Sequence, residues 1–239
     1  MGIMAKVPRS GRVKTRLVPP LTHDQASALS ECFLRDVAAS IAAAAEASAG
    51  RIQGVAVYHA DDGEDGAQGL GAKLPRDFTL LRQRGAHLGE RLFHAVVDLI
   101  AAGFESVCLV NGDSPTLPSS LLRDALRALD APGDRVVLGP ASDGGYYLIG
   151  LRRAHGRLFE DISWSTPSVL AQTLERAREL SLDVRLLPEW YDVDDGDSLR
   201  VLCDELFGRG GRGPVDGRGA STRALLDALL PRIGSSMHE

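Results

Sequence analysis

Ser106-Val107-Cys108-Leu109-Val110-Asn111-Gly112-Asp113-Ser114-Pro115 is the stretch that decides the fold. A run of Val, Cys and Leu without polar alternation suits a central parallel strand covered on both faces. Gly112 lets the backbone turn, and Pro115 forbids the strand from continuing. Asp113 is therefore left at the carboxyl end of a central strand, where open α/β sheets hold their ligands. A carboxylate there suits a metal ion or a metal-bound phosphate. It equally suits a cap for the following helix.

Outward from this strand, apolar segments of two periods alternate, which predicts a mostly parallel α/β sheet. Strands are expected at Ile3-Met4-Ala5 (a shortened first strand), 52–58, 78–81, 106–111, 135–138, 146–151 and 184–187. Helices are expected over 24–48, 88–102, 119–129, 167–180, 198–207 and 222–230. Thr22 suits the cap of the first of these, and Thr166 that of the helix led by Pro167. Residues 61–71 read as a polar, glycine-rich loop. Residues 208–219 hold six glycines and read as a mobile surface loop. The expected organisation is one domain over residues 1–207, followed by a glycine-rich loop and helical appendage over 208–239.

Bulk properties narrow the function. The chain has 239 residues, 25% charged, with a net charge of −5, so its overall field gives no reason to expect nucleic acid or an anionic membrane as partner. No apolar run is long enough to span a bilayer. Lys6, Arg9, Arg12, Lys14 and Arg16 interrupt any signal-peptide core, so a cytoplasmic location is expected. Three well-separated cysteines fit neither a disulfide framework nor a clustered zinc site. There is no Gly-x-Ser-x-Gly elbow, no His-Glu-x-x-His and no Cys-x-x-Cys, and the six histidines are scattered.

Three further segments carry chemistry. Ala5-Lys6-Val7-Pro8-Arg9-Ser10-Gly11-Arg12-Val13-Lys14-Thr15-Arg16-Leu17 gathers five basic residues just after the first strand, where a diphosphate would sit. It is neither a Walker loop nor a dinucleotide fingerprint. Trp190-Tyr191-Asp192-Val193-Asp194-Asp195-Gly196-Asp197-Ser198 crowds four carboxylates into six positions, which repel unless a cation or several donors offset them. Its glycine falls one position early for an EF-hand, and the twelfth position is Cys203. Alternation puts Asp192 and Asp194 on one face of an extended segment, able to meet Asp113, while Asp197 is expected to begin the helix. Gly139-Pro140-Ala141-Ser142-Asp143-Gly144-Gly145-Tyr146-Tyr147 reads as a hairpin whose bare tip admits a ligand, with Trp164, Ser165 and Thr166 nearby.

The set Ala-Lys-x-Pro-x-x-Gly-x-x-Lys-Thr-Arg-Leu, Gly-Asp-x-Pro, Asp-Gly-Gly-Tyr-Tyr-Leu-x-Gly, Trp-Ser-Thr and Asp-Val-Asp resembles the DUF2064 group. These are GT-A-like glycosyltransferases of the arsenosugar-biosynthesis type, distantly similar to CofC- and MobA-like nucleotidyltransferases. The resemblance implies a single-domain GT-A, or nucleotide-diphospho-sugar transferase, fold. It implies nucleotide binding by Ala5, Lys6, Pro8, Gly11, Lys14, Arg16, Gln83, Gly89 and Arg91, and a divalent ion, Mg²⁺ or Mn²⁺, held by Asp113 and Asp194. Asp113 then stands as the last acid of the Asp-x-Asp motif. Gly144, Gly145, Tyr146, Trp164, Ser165 and Thr166 would face the sugar or acceptor, with Asp143 as acceptor-side base. The expected activity is metal-dependent transfer of a sugar from a nucleotide-sugar to a small-molecule acceptor. Two alternatives use the same residues: nucleotidyl transfer from a nucleoside triphosphate to a phosphorylated metabolite, and non-catalytic nucleotide binding.

Overall fold

The computed structural model describes residues 1–59, 66–208 and 217–233. Seven strands form one sheet: β1 (Gly2–Lys6), β2 (Val55–His59), β3 (Thr79–Arg82), β4 (Val107–Asn111), β5 (Arg135–Pro140), β6 (Tyr146–Leu151) and β7 (Asp183–Leu186). Their order is β3-β2-β1-β4-β6-β5-β7. All neighbours are parallel except the two pairs made by β6, which runs against β4 and β5. The chain leaves β1 towards β2 on one side and returns to β4 on the other. The carboxyl ends of β1 and β4 thus flank the switch point where such sheets open a ligand crevice. β1 pairs with β2 along all five of its residues, so the expected shortening leaves no gap in the sheet.

Among the described residues seven α-helices accompany the strands: α1 (His23–Ala47), α2 (Gly66–Gly71), α3 (Leu88–Ala101), α4 (Ser119–Asp130), α5 (Val169–Glu179), α6 (Gly196–Phe207) and α7 (Ala220–Ile233). They cover both faces of the sheet, and β4 has no polar alternation for that reason. Cys108 and Val110 point into the core beneath α1 and α4, with Leu34, Ile41 and Leu122. Val107 and Leu109 point the opposite way, against Leu92, Val96 and Leu99 of α3.

Several boundaries differ from the sequence reading. Residues 66–71 form a short helix where a loop was expected, anchored by buried Leu70. The helix expected from Pro167 begins at Val169, with Ser168 in the N-cap position. The Thr166 hydroxyl donates to the Ser163 carbonyl (2.7 Å) and accepts from Ser168 N (3.3 Å), so it ties the preceding turn to the residue before the helix. Asp195, not Asp197, caps α6: its carboxylate accepts from Ser198 N (2.9 Å) in a reciprocal capping box. The loop expected at 208–219 lies mostly outside the described residues.

A third core joins α1, α6 and α7 through Phe33, Leu202, Leu226 and Val193. Asp36, buried in α1, sets the position of α7. Its two carboxylate oxygens accept from Ser221 N and Thr222 N, each at 2.9 Å. These are orphan donors at a helix start, where a carboxylate also meets the positive end of the dipole. Asp36→Ala should therefore cost about 2 kcal/mol and lower Tm by about 4–8 °C, read by thermal denaturation. A shift under about 1 °C would mean that α7 does not depend on this anchor.

Candidate active site

The loop after β1 folds back over the sheet edge and delivers Lys14. This residue has a left-handed backbone (φ 48°, ψ 39°), an uncommon conformation for a side chain with a Cβ that costs about 1–2 kcal/mol. It aims the ammonium into the protein, where the side chain is only 6% exposed. Lys14 Nζ lies 2.7 Å from Asp113 Oδ1 and 2.7 Å from Asp194 Oδ1, and 5.6 Å from the centre of the Phe33 ring. Burial opposes its charge, but the Asp113 and Asp194 carboxylates outweigh that penalty and raise its pKa above the usual lysine value. Arg16 reaches the other oxygen of Asp194 (2.5 Å).

Backbone hydrogen bonds hold the two acids together. Val193 N donates to the Asp113 carbonyl (2.9 Å), which lays the acidic segment across the end of β4. Ser142 N donates to the Trp190 carbonyl (3.0 Å) and Trp190 N to the Pro140 carbonyl (3.0 Å), fixing the same segment to the end of β5. Val193 is buried, so its neighbours Asp192 and Asp194 turn the other way, onto one face.

Two adjoining compartments meet here. The smaller, about 360 Å³, is lined by Ala5, Lys6, Lys14, Arg16, Gln83 and Arg91 from the expected nucleotide set, and also by Arg12 and His59. Gln83 Nε2 donates to the carbonyls of Val57 (2.7 Å) and Ala5 (3.4 Å), pinning the ends of β1 to β3. The larger, about 1100 Å³, is lined by Asp143, Gly145, Tyr146, Trp164, Ser165 and Thr166 of the expected acceptor set. Asp113, Asp194 and Arg16 line both.

Pro8, Gly11, Gly89 and Gly144 line neither compartment. Two of these glycines answer to packing. A Cβ on Gly89 would stand 2.6 Å from Trp164 Nε1, and its absence lets the indole close over the start of α3. Gly144 has a φ of +88°, and a Cβ there would stand 2.3 Å from the Pro167 carbonyl oxygen. Sequence reasoning did not single out Asn111, whose Oδ1 is buried without a hydrogen-bond partner among the described residues, nor the apolar lining residues Leu88, Leu92, Leu109 and Ile149. Asn111 was legible as the residue in the first position of an Asp-x-Asp-like triplet.

Among the described residues no group of three or more His, Cys, Asp or Glu side chains is arranged to hold a metal ion. The donor set present is a pair, Asp113 and Asp194, brought together around one cation. Mg²⁺ and Mn²⁺ accept such hard oxygens, and Mg²⁺ sites commonly use one or two carboxylates completed by substrate phosphates. Asp113 is 41% exposed and Asp194 34%, so both side chains are accessible from the compartments that they line. The pair fits a divalent ion that arrives with a diphosphate.

Comparison with known proteins gives the family and the fold. The DUF2064 family model, described as an uncharacterized protein conserved in bacteria, matches residues 41–166, more than half of the chain. The chain belongs to that family. A crystal structure of a candidate nucleotide-diphospho-sugar transferase from Desulfovibrio desulfuricans G20 is 31% identical, with a TM-score of 0.83, over 98% of this chain and 96% of that one. The family member described here thus has the nucleotide-diphospho-sugar transferase fold. The CTP-bound CMP:2-keto-3-deoxy-manno-octonic acid synthetase shares the fold alone, at 15% identity and TM-score 0.51, over 87% of this chain and 98% of that one. So does the 4-diphosphocytidyl-2C-methyl-D-erythritol synthase of Anaerococcus prevotii, at 11% and 0.52, over 84% and 92%. No functionally curated protein matches the sequence. No helix among the described residues is long and apolar enough to cross a membrane.

The crowded acids leave a measurable trace. Burial first, then the charges of Asp143, Asp194 and Asp113, push the Asp192 carboxyl up to about 6. The folded protein therefore holds this proton more tightly than the unfolded chain does. That contribution to stability is full below the unfolded value near 3.8 and is lost as pH rises through about 6. Asp192→Asn removes the loss, so its stability relative to wild type should be about 1 kcal/mol better at pH 8 than at pH 4. Urea denaturation in EDTA at both pH values reads this. An equal or reversed difference would mean that the cluster does not strain Asp192.

Proposed function

We propose that the protein is a divalent-metal-dependent glycosyltransferase that moves a sugar from a nucleotide-sugar donor to a small-molecule acceptor. One observation carries this reading. A basic compartment and an acidic, apolar-walled compartment meet at a carboxylate pair on the switch point of the sheet. Donor diphosphate and acceptor need such neighbouring but chemically different seats. The 31% identity to a candidate nucleotide-diphospho-sugar transferase along nearly the whole chain supports the same class.

Lys6, Arg12, Lys14, Arg16 and Arg91 bind the donor diphosphate by charge-assisted hydrogen bonds. Lys14 has three N–H donors and places two on Asp113 and Asp194, leaving one for a phosphate oxygen. Asp113 and Asp194 would hold Mg²⁺ or Mn²⁺, which when bound offsets the charge developing on the leaving nucleoside diphosphate. Tyr146 and Trp164, edge to face at 6.5 Å, form a wall for the sugar or acceptor. Asp143 accepts from Gly145 N (2.8 Å) at the mouth of the large compartment and takes the acceptor's hydroxyl proton.

Nucleotidyl transfer from a triphosphate would use the same basic loop and release pyrophosphate, which sugar transfer does not. Asp113→Asn should abolish nucleoside diphosphate release, by at least about a hundredfold, in a protein that keeps the wild-type circular dichroism spectrum but melts at a lower Tm, because Lys14 loses one of its two carboxylates. Activity within about tenfold of wild type, roughly 1.4 kcal/mol of barrier, would remove Asp113 from the machinery.

A further inference from the structure

The two compartments differ in charge as well as in size, and this restricts what the larger one can accept. Among the described residues Arg16 is the one cation lining it, and Arg16 already engages Asp194. Not all the acids near its rim are available to a ligand. Asp195 caps α6 through Ser198, and Asp197 pairs with Arg200 across one helical turn. Asp113 and Asp194 share Lys14. Asp143 and Asp192 remain, and neither makes an ion pair among the described residues. A divalent ion on the Asp113–Asp194 pair would leave both of these charges in place.

Part of the lining is apolar. Leu109 and Ile149 are buried in the sheet yet reach the cavity surface, and Leu88, Leu92, Tyr146 and Trp164 add to it. Such a surface rewards an apolar or aromatic body, which it removes from water. Two fixed carboxylates repel a second anion and favour ammonium or hydroxyl groups, which donate to them. An ammonium would gain further from the faces of Tyr146 and Trp164.

Resting on the transferase reading above, we infer that the large compartment takes a neutral or cationic, hydroxyl-bearing acceptor with an apolar body and excludes phosphorylated and carboxylated acceptors. Anionic groups belong to the small compartment, where Lys6, Arg12 and Arg91 stand without a neighbouring surplus of acids. The charge division thereby keeps donor and acceptor from exchanging seats.

The test compares three matched probes on the full-length protein by isothermal titration calorimetry at pH 7.5. They are 1,4-benzenedimethanol, 4-(hydroxymethyl)benzyltrimethylammonium and 4-(hydroxymethyl)benzyl phosphate, each titrated with the basic compartment blocked by a saturating nucleoside diphosphate and Mn²⁺. The ammonium and the diol should bind at least about tenfold more tightly than the phosphate. In the Asp143→Asn/Asp192→Asn double variant, the gap between ammonium and phosphate should shrink below about threefold. A phosphate probe that binds as well as the ammonium overturns the inference, as does failure of all three to bind. A gap that survives in a double variant with the wild-type circular dichroism spectrum also overturns it. These outcomes leave the donor side untouched, because that side is judged by nucleoside diphosphate release and its loss in Asp113→Asn.

Discussion

The ammonium of Lys14, held between Asp113 and Asp194, is the interaction on which the site depends. An ammonium this buried is tolerable only with its charge met at hydrogen-bond distance, and removing one partner of such a cluster commonly costs several kcal/mol. Its two acids are distant in sequence, one from the end of β4 near the middle of the chain and one from the segment before α6. The contact therefore ties the loop after β1, the central strand and the C-terminal third of the protein into one object. The strained backbone at Lys14 fits that role, since such a conformation persists only where its surroundings enforce it.

From this point the chemistry divides. On the β2 side the loop presents guanidinium and ammonium groups, with Gln83 bracing the strand ends beneath them. On the β6 side the hairpin and the start of α5 present carboxylates and aromatic rings. The division follows from topology. The antiparallel β6 brings the tip of the β5–β6 turn, with Asp143, to the same edge as the carboxyl end of β4. A fully parallel sheet would have put a crossover helix there. The single reversed strand thus makes room for the second compartment.

Much of this was legible in the sequence, and the reasons differ by residue. The position of Asp113 was legible because an apolar run ending in Gly-Asp-x-Pro reads as a buried strand that stops at the carboxyl edge of the sheet, where β4 does end. Asp194 was legible through alternation, since Val193 had to point inward. The pairing of both with Lys14 was not, because nothing local records a contact across 180 positions. Gly89 and Gly144 were read as points of ligand approach. An absent Cβ serves a ligand or a neighbouring part of the protein equally well, and the neighbours proved to be the Trp164 side chain and the Pro167 backbone. The start of α6 was misplaced by two residues because two aspartates compete for one cap, and the reciprocal bond to Ser198 decides in favour of Asp195. Helix α2 escaped notice because Gly66-Ala67-Gln68-Gly69-Leu70-Gly71 has low intrinsic helix propensity, and tertiary burial of Leu70 overrides it.

The central claim is that this junction binds a nucleotide diphosphate together with a divalent ion. A thermal-shift panel measures it directly, using nucleoside diphosphates, nucleotide-sugars and triphosphates, each with Mn²⁺, Mg²⁺ or EDTA. A ligand at about 100 times its Kd adds about 2.7 kcal/mol, or about 5–10 °C for a chain of this size. The account predicts such a shift with one nucleotide-sugar and its diphosphate in Mn²⁺ or Mg²⁺, and its collapse in EDTA. No shift with any nucleotide, or a shift equally large in EDTA, would contradict it.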